Sequence, residues 1–421
     1  MNAKRVLETL DFSVGKNEFN ELEKETKSFL NLLKKQVSKK KVNCEVFLGG
    51  SFAKGTLAKS ESYDADIFVR FGRKCGDLSD YLGKILKNLV KRTGMKIERL
   101  HGSRDYFRIR KNEKLIFELI PVLKIKKIVE AMNVMDLSYF HVNYVRRNLK
   151  GRLRKEVSFA KKFCEAQGVY GAESYINGFS GYGLECLIIH FKSFEKMLKE
   201  LIKIKDKKLV IDTKKFYKKK GDVFIELNES KLQSPIILID PTWKERNVLA
   251  SLNWETFVKF QSAARNFLKK PSEKFFYKKE INVSQLKKKN GEFLHLVLET
   301  DKQEGDIAGT KLRKFSNFLI REIEKYFYVL GKEFVYRGEG KKAELYLTLK
   351  SRGEVLKKGP PVTMKKDAVC FRKKNEKTAV RGGVLYCKVK TDFSGKEFLK
   401  KFVRKNEKKI KEMGVVDVRI E

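Results

Sequence analysis

Apolar and polar residues recur along this chain with two periods, and the changes of period mark out its elements. Residues 16–40 carry Phe19, Leu22, Phe29, Leu32 and Leu33 at helical spacing. A short apolar run follows, Val46, Phe47 and Leu48, and predicts a strand that breaks at Gly49-Gly50. A second strand ends near Phe71, and Leu82, Ile85, Leu86 and Leu89 predict a helix over 78–92. Strands are expected around 95–100 and 106–110. The stretch KLIFELIPVLKI, 114–125, reads as a strongly apolar strand carrying one charge, Glu118. Together these elements predict an α/β unit with a mixed sheet and a helix packed on it.

From about Val129 the pattern turns helical, through AMNVMDLSYFHVNYVRRNL, KGRLRKEVSFAKKFCEAQGVYGAE and GFSGYGLECLIIHFKSFEKMLKELIKI. Gly168, Gly171, Gly178 and Gly181 punctuate helix ends and turns. A lysine-rich loop, KKFYKKKGDVF, an apolar strand-like PIILID and PTWKERNVLASLNWETF complete this second region. After the helical FVKFQSAARNFLKK, the segments EFLHLVLE, KLRKFSNFLIREIEKYFYVL, KEFVYR and KKAELYLTLKS read as strand, helix, strand and strand. That order fits an RNA-recognition-like or ferredoxin-like unit. GGVLYCKVKTDF and GKEFLKKFVRKNEKKIKEM add a strand and a basic helix. The expected fold is therefore α+β and multidomain, divided at 1–129, 130–255 and 256–421.

Composition narrows the class. With 42% apolar residues, 31 Phe and 15 Tyr, the chain can build real cores, and 6 Pro argue against long extended linkers. Lys and Arg number 94 against 53 Asp and Glu, a formal charge of +41. Such an excess repels itself unless a polyanion neutralises part of it, and nucleic acid is the usual partner. No basic amphipathic stretch with a lipid-facing stripe and no membrane-spanning run is evident, so a membrane partner is not expected. Six scattered cysteines without a CxxC, and four dispersed histidines, argue against zinc and against a disulfide framework. MNAKRVLETLDF lacks the apolar core of a signal peptide. The expectation is a soluble, reduced, cytoplasmic protein.

The chemistry concentrates between Cys44 and Phe71. A Gly-Gly-Ser turn feeding a helix offers backbone N–H groups and the Ser51 hydroxyl to an anion. Asp64 and Asp66 lie two apart on a strand and so project to one face. Glu118, in a neighbouring apolar strand, either turns outward to water or needs a cation. Three carboxylates near a phosphate cradle suit two-metal phosphoryl transfer, with magnesium bound by oxygen ligands and substrate phosphates. Asp-x-Asp alone is a weak signal, since solvated aspartate pairs are common. Ser51 followed thirteen residues later by Asp-x-Asp, then by a carboxylate in an apolar strand, is a stronger one.

This constellation resembles the nucleotidyltransferase superfamily that includes DNA polymerase beta, at Gly50, Ser51, Asp64, Asp66 and Glu118. GGSFAKGT, LSYFH (137–141), GVYGAE (168–173), GFSGYGLECLI (178–188) and IDPTWKERNVLASL (239–252) further resemble the archaeal-type, class I CCA-adding enzymes, convincingly over roughly 40–280. The resemblance implies a polymerase-beta-like catalytic head over 1–129 and a helical, nucleotide-selecting neck over 130–255. An α+β body and tail that bind tRNA would occupy 256–421. It implies template-free addition of C, C and A to tRNA from CTP and ATP, through attack of the RNA 3′-hydroxyl on the α-phosphate. Asp64, Asp66 and Glu118 would be the catalytic and magnesium-binding residues. Gly50, Ser51 and Lys54, with Thr56 nearby, would hold the triphosphate.

His141, Lys161 and Tyr170 match positions that contact the nucleotide's triphosphate and sugar, and Arg246 one that reads the base edge. The chain departs from the family pattern at Lys54, where Arg is frequent and the bidentate fork is lost, and at Glu118, where Asp is usual. The resemblance leaves a homodimer open.

Each residue also has a structural reading. His141 and Tyr170 could pack a helix and a turn, and Lys161 could belong to a solvated face. Arg246 could pair with Glu245 or Asp240. Glu185, on an apolar helix face, is expected to organise the neck by pairing with a basic residue. A poly(A) or oligonucleotide polymerase of the same superfamily, or an RNA-binding protein with an inactive head, are the rival readings.

Overall fold

The changes of period become elements in the computed structural model, which describes residues 2–39, 43–72, 76–278, 283–375 and 377–421. The chain divides into two units, 1–279 and 280–421.

The first unit opens with α1 (Ala3–Thr9) and the long amphipathic α2 (Lys16–Lys39), whose buried Leu22, Thr26, Phe29, Leu33 and Val37 recur every three or four positions. Then come β1 (Cys44–Leu48), the short α3 (Gly50–Lys54), β2 (Tyr63–Phe71) and α4 (Leu78–Thr93). β3 (Glu98–Leu100), β4 (Tyr106–Arg110) and β5 (Leu115–Leu123) complete a mixed sheet of order β1-β2-β5-β4-β3. Only the β2–β5 pair is parallel, and α4 lies in the crossover that a parallel pair requires.

Tyr63, Ala65, Ile67, Val69 and Phe71 of β2 share a core with Phe117 and Leu119 of β5 and with the apolar stripes of α2 and α4. The Phe29 ring stacks on Phe117 with centroids 4.1 Å apart. Strand alternation then sends Asp64 and Asp66 to the opposite face. The parallel register places Glu118 beside Asp66, and the β4–β5 register places Arg108 beside Glu118. A small cluster of Phe68, Ile120 and Val122 continues that face.

The chain leaves the sheet through Asp136, a buried carboxylate that accepts the Leu123 and Asn133 N–H groups at 2.8 and 2.9 Å and pairs with Arg104. Helices α5 (Ser138–Asn148), α6 (Arg152–Ala166), α7 (Gly181–Phe191) and α8 (Phe194–Leu201) follow. Next come β6 (Leu209–Ile211), α9 (Asp222–Glu226), α10 (Glu229–Leu232), β7 (Ile236–Asp240), β8 (Trp243–Asn247) and α11 (Trp254–Lys269). Their core is aromatic. The Phe163 ring meets Phe194, Phe260, Phe267 and Phe276 with centroids 5.5 to 6.0 Å apart. PIILID forms the middle strand of a small sheet, β6-β7-β8, set among the helices.

The second unit comprises α12 (Val283–Lys287), β9 (Glu292–Glu299), α13 (Asp306–Ile323), β10 (Phe327–Val335) and β11 (Lys342–Ser351). It continues with β12 (Glu354–Pro361), α14 (Lys365–Lys374), β13 (Thr378–Arg381) and β14 (Val384–Lys390). It ends with α15 (Gly395–Lys405), α16 (Glu407–Glu412) and β15 (Asp417–Ile420). The antiparallel order β10-β11-β9-β15 has the ferredoxin-like connectivity, with β12 to β14 inserted as a separate sheet.

The end of α13 differs from expectation. The helix read through Leu330 stops at Ile323, and Phe327 begins a strand paired with β11. The aromatic, β-branched FYV favours a pleated surface once β11 offers a partner. Among the described residues no helix is long and apolar enough to cross a membrane.

Candidate active site

Three clusters of expected site residues stand in the first unit. The first is the carboxylate face of the sheet. β1 breaks at Gly49, whose N–H donates to the Asp66 carbonyl at 2.7 Å, so the start of α3 is laid across β2. Gly50 has φ +56°, and a Cβ there would stand 1.6 Å from Asp66 Oδ2. Only glycine lets the carboxylate and the turn approach this closely. Ser51 follows as the second residue of α3.

Burial, then the Asp64 charge, pushes the Asp66 carboxyl up to about 6, although the Lys54 and Lys161 ammonium groups pull the other way. Burial, then Asp66 and Asp64, pushes Glu118 up to about 7 against the pull of Arg108. Arg108 Nη2 donates to Glu118 Oε1 at 3.1 Å. Carboxylates that resist ionisation in one another's company fit a site that receives a cation, and an all-oxygen donor set suits magnesium. Among the described residues no three His, Cys, Asp or Glu side chains converge closely enough to enclose an ion.

The second cluster is built on Glu185, 1% exposed in the middle of the apolar α7. Its Oε2 accepts from Lys54 Nζ at 2.9 Å, and its Oε1 accepts from the Thr56 hydroxyl at 2.6 Å. Lys161 Nζ, from α6, donates to the Thr56 carbonyl at 3.0 Å and lies 3.4 Å from Glu185 Oε1. Burial raises the Glu185 pKa, but Lys54, Lys161 and the Thr56 hydroxyl outweigh it and hold the carboxyl below its ordinary value. Lys54 and Lys161 are thus brought together by a residue expected only to organise the helices. Tyr170, half-buried, bridges its backbone to Phe179 just before α7. Its hydroxyl lies over Gly181, where a Cβ would come within 3.0 Å of it.

The third cluster is built on Asp240, the fully buried end of β7. Arg246 Nη1 donates to its Oδ2 at 2.6 Å, and His141 Nε2 lies 3.0 Å from the same oxygen. The Tyr182 hydroxyl and both Thr242 donors reach Oδ1 at 2.7 to 3.1 Å. Burial raises the Asp240 pKa, but the hydrogen bond from His141, Arg246 and Thr242 together hold it well below the carboxylate range. Burial also lowers His141 despite its Asp240 partner, leaving the imidazole neutral at pH 7. The His141 ring stacks on Tyr182 at 4.2 Å, and Lys54 Nζ lies 5.1 Å from the Tyr182 centroid. Tyr182 therefore joins the second cluster to the third. Of the rivals weighed for Arg246, the partner is Asp240. Neither Tyr182 nor Asp240 stood out as a site residue in the sequence, although a lone acid closing the apolar IILID was a legible signal.

The chain resembles known proteins across both parts of its first unit. A family model described as nucleotidyltransferase domain matches residues 30–141, and one described as tRNA nucleotidyltransferase, second domain, matches 155–277. The CCA-adding enzyme of Nanoarchaeum equitans is 34% identical over 356 residues, which cover 83% of this chain and 85% of that one. The CCA-adding enzyme of Saccharolobus islandicus is 30% identical over 280 residues, 66% of this chain and 63% of that protein. Among solved structures, the Cid1 poly(U) polymerase with Mg and 3′-dATP matches with TM-score 0.50 and 12% identity, over 66% of this chain and 98% of its own. At that identity the likeness speaks to the fold alone.

Proposed function

Because the chain belongs to the archaeal-type CCA-adding enzymes, tRNA nucleotidyltransferases with a polymerase-beta-like fold, we propose that it adds C, C and A in turn to the 3′ end of tRNA. CTP and ATP are the nucleotide substrates, and no template is read. The observation that carries this reading is the 34% identity sustained over 356 residues. That length runs past the first unit, which ends at residue 279.

In each addition the terminal 3′-oxygen of the RNA bonds to the α-phosphorus as the bond to pyrophosphate breaks. We assign Asp64, Asp66 and Glu118 as the ligands of magnesium, which when bound neutralises phosphate charge and acidifies the attacking hydroxyl. For Glu118 to join the aspartates it would exchange its Arg108 hydrogen bond for that role. Lys54 and Lys161 share Glu185 and also act on Asp66, and we assign both ammonium groups to the triphosphate, with Gly50, Ser51 and Tyr170 beside it. Asp240 fixes Arg246 through Nη1, and the remaining guanidinium donors form a planar fork suited to base edges. His141, neutral and stacked on Tyr182, completes that wall of the nucleotide site.

The test is a tRNA lacking its CCA end, incubated with CTP and ATP. Three additions followed by arrest are expected; long A-tails without incorporation of C would overturn the reading. A second expectation concerns the turn. Gly50→Ala should reduce kcat by about 10²-fold, the scale of an ångström displacement at a reacting centre. RNA affinity should hold in a filter-binding assay, and unchanged turnover would show that the Gly50–Asp66 approach is incidental.

A further inference from the structure

Between β6 and α9 the chain reads KKFYKKK, residues 214–220, five lysines and two aromatics in seven positions. The loop is held in shape. Asp212 accepts the Tyr217 N–H at 2.9 Å and Asp222 accepts the Lys219 N–H at 3.0 Å. Tyr217 is buried among Val210, Val223, Leu227, Ile237 and Ile239. Its hydroxyl donates to the Lys244 carbonyl on β8 at 2.8 Å. Anchored in this way, the loop exposes Lys214, Lys215, Lys218, Lys219 and Lys220, with Phe216 43% exposed between them.

The charge there lacks the compensation that some other surface lysines have. Lys27, Lys199 and Lys203 each have a glutamate one helical turn away, Glu23, Glu195 and Glu200. Among the described residues no ion pair neutralises Lys215, Lys218, Lys219 or Lys220, and the two nearby aspartates each turn one oxygen to a backbone N–H. The loop also flanks the Asp240 cluster. Lys244, on which Tyr217 rests, is two residues from Arg246. The Lys214 ammonium lies 5.7 Å from the centroid of Tyr144, three residues after His141 on α5.

We propose that the 214–220 loop grips the phosphodiester backbone of the RNA strand being extended, with Phe216 offering a face to an unstacked base. This rests on the reading of the protein as an RNA 3′-end polymerase. It places an RNA contact on the nucleotide-selecting unit, in addition to any contact made by residues 256–421. Uncompensated lysines in a fixed loop release counterions from phosphates, whereas lysines already paired with glutamate release few.

The experiment measures binding of the full-length protein to CCA-less tRNA across a potassium chloride series. It compares wild type, a loop variant (Lys215, Lys218, Lys219 and Lys220→Gln) and a control (Lys27, Lys199 and Lys203→Gln). The loop variant is expected to lower the slope of log K against log salt by about 3, at ~0.7–0.9 for each of the four phosphates no longer neutralised. The control should keep both the wild-type slope and the wild-type kcat at saturating tRNA. A loop-variant slope equal to the control's overturns the proposal. So does loss of binding to phosphatidylserine vesicles with the RNA slope intact, which would assign the loop to a membrane surface. Should the quadruple variant misfold, Lys219→Glu against Lys199→Glu gives the same comparison: weaker RNA binding in the former supports the proposal, and equal binding overturns it. If wild type adds no C or A yet the loop variant still loses slope, the CCA reading fails while the RNA-binding role of the loop stands.

Discussion

Asp64→Ala and Asp66→Ala are each expected to abolish nucleotide incorporation, with kcat falling by about 10³-fold or more. A site that loses charge stabilisation at a reacting phosphate loses several kcal/mol of barrier reduction, at ~1.36 kcal/mol per decade. Binding of tRNA should stay within a few-fold of wild type, because neither aspartate attracts phosphates. Stability should not fall either. Asp66 is held up to about 6 by burial and by Asp64, so removing it relieves a repulsion, and in chelator its alanine variant should melt at or above the wild-type temperature. A residue whose removal eliminates turnover while sparing the fold is kept for chemistry. The measurements are single-turnover incorporation, filter binding and thermal melting, and substantial activity in both variants would mean that the metal site lies elsewhere.

The carboxylate face was legible because it depends on short-range rules. Strand alternation alone puts Asp64 and Asp66 on one side, and an isolated Glu in an apolar strand points to a neighbour on the same sheet. What the sequence could not supply is the register that sets Glu118 against Asp66 and Arg108 against Glu118. The two buried clusters were harder to see. Glu185 in an apolar helix announces that it needs a cation, but its partner Lys54 lies 131 residues away and its hydroxyl partner Thr56 lies 129 away. His141 and Asp240, 99 apart, are equally non-local. The Arg246–Asp240 pair was foreseeable because both residues fall within one hairpin. In the second unit, strand and helix order could be read from periodicity. Of the inserted β12–β14 sheet only β14 was read, from GGVLYCKVKTDF; β12 and β13 were not, since they expose Leu356 and Val380 and show little alternation.

Glu185→Ala is expected to destabilise the protein by ~3–5 kcal/mol, the cost of leaving buried charge without its partner. Both ammonium groups facing it are buried, Lys54 at 9% exposure and Lys161 at 5%. The effect should depend on pH with a definite sign. The Glu185 pKa is lowered in the folded protein, so its contribution is complete above the ordinary glutamate range and is lost as pH falls below about 4.3. Denaturant unfolding of wild type and variant should therefore differ most near neutrality and converge in acid, and a difference below about 1 kcal/mol at pH 7 would refute the assignment. The triple change Lys54→Met, Lys161→Met, Glu185→Leu separates stability from function. Apolar replacement of a buried ionic cluster is often neutral or stabilising, so this variant should recover most of the lost stability. It should nevertheless remain inactive, with a raised KM for CTP and ATP, because the positive charge assigned to the triphosphate is gone. Recovery of both properties would show that the cluster only packs the helices. Recovery of stability alone would show that the two ammonium groups serve the nucleotide and not the packing of the helices.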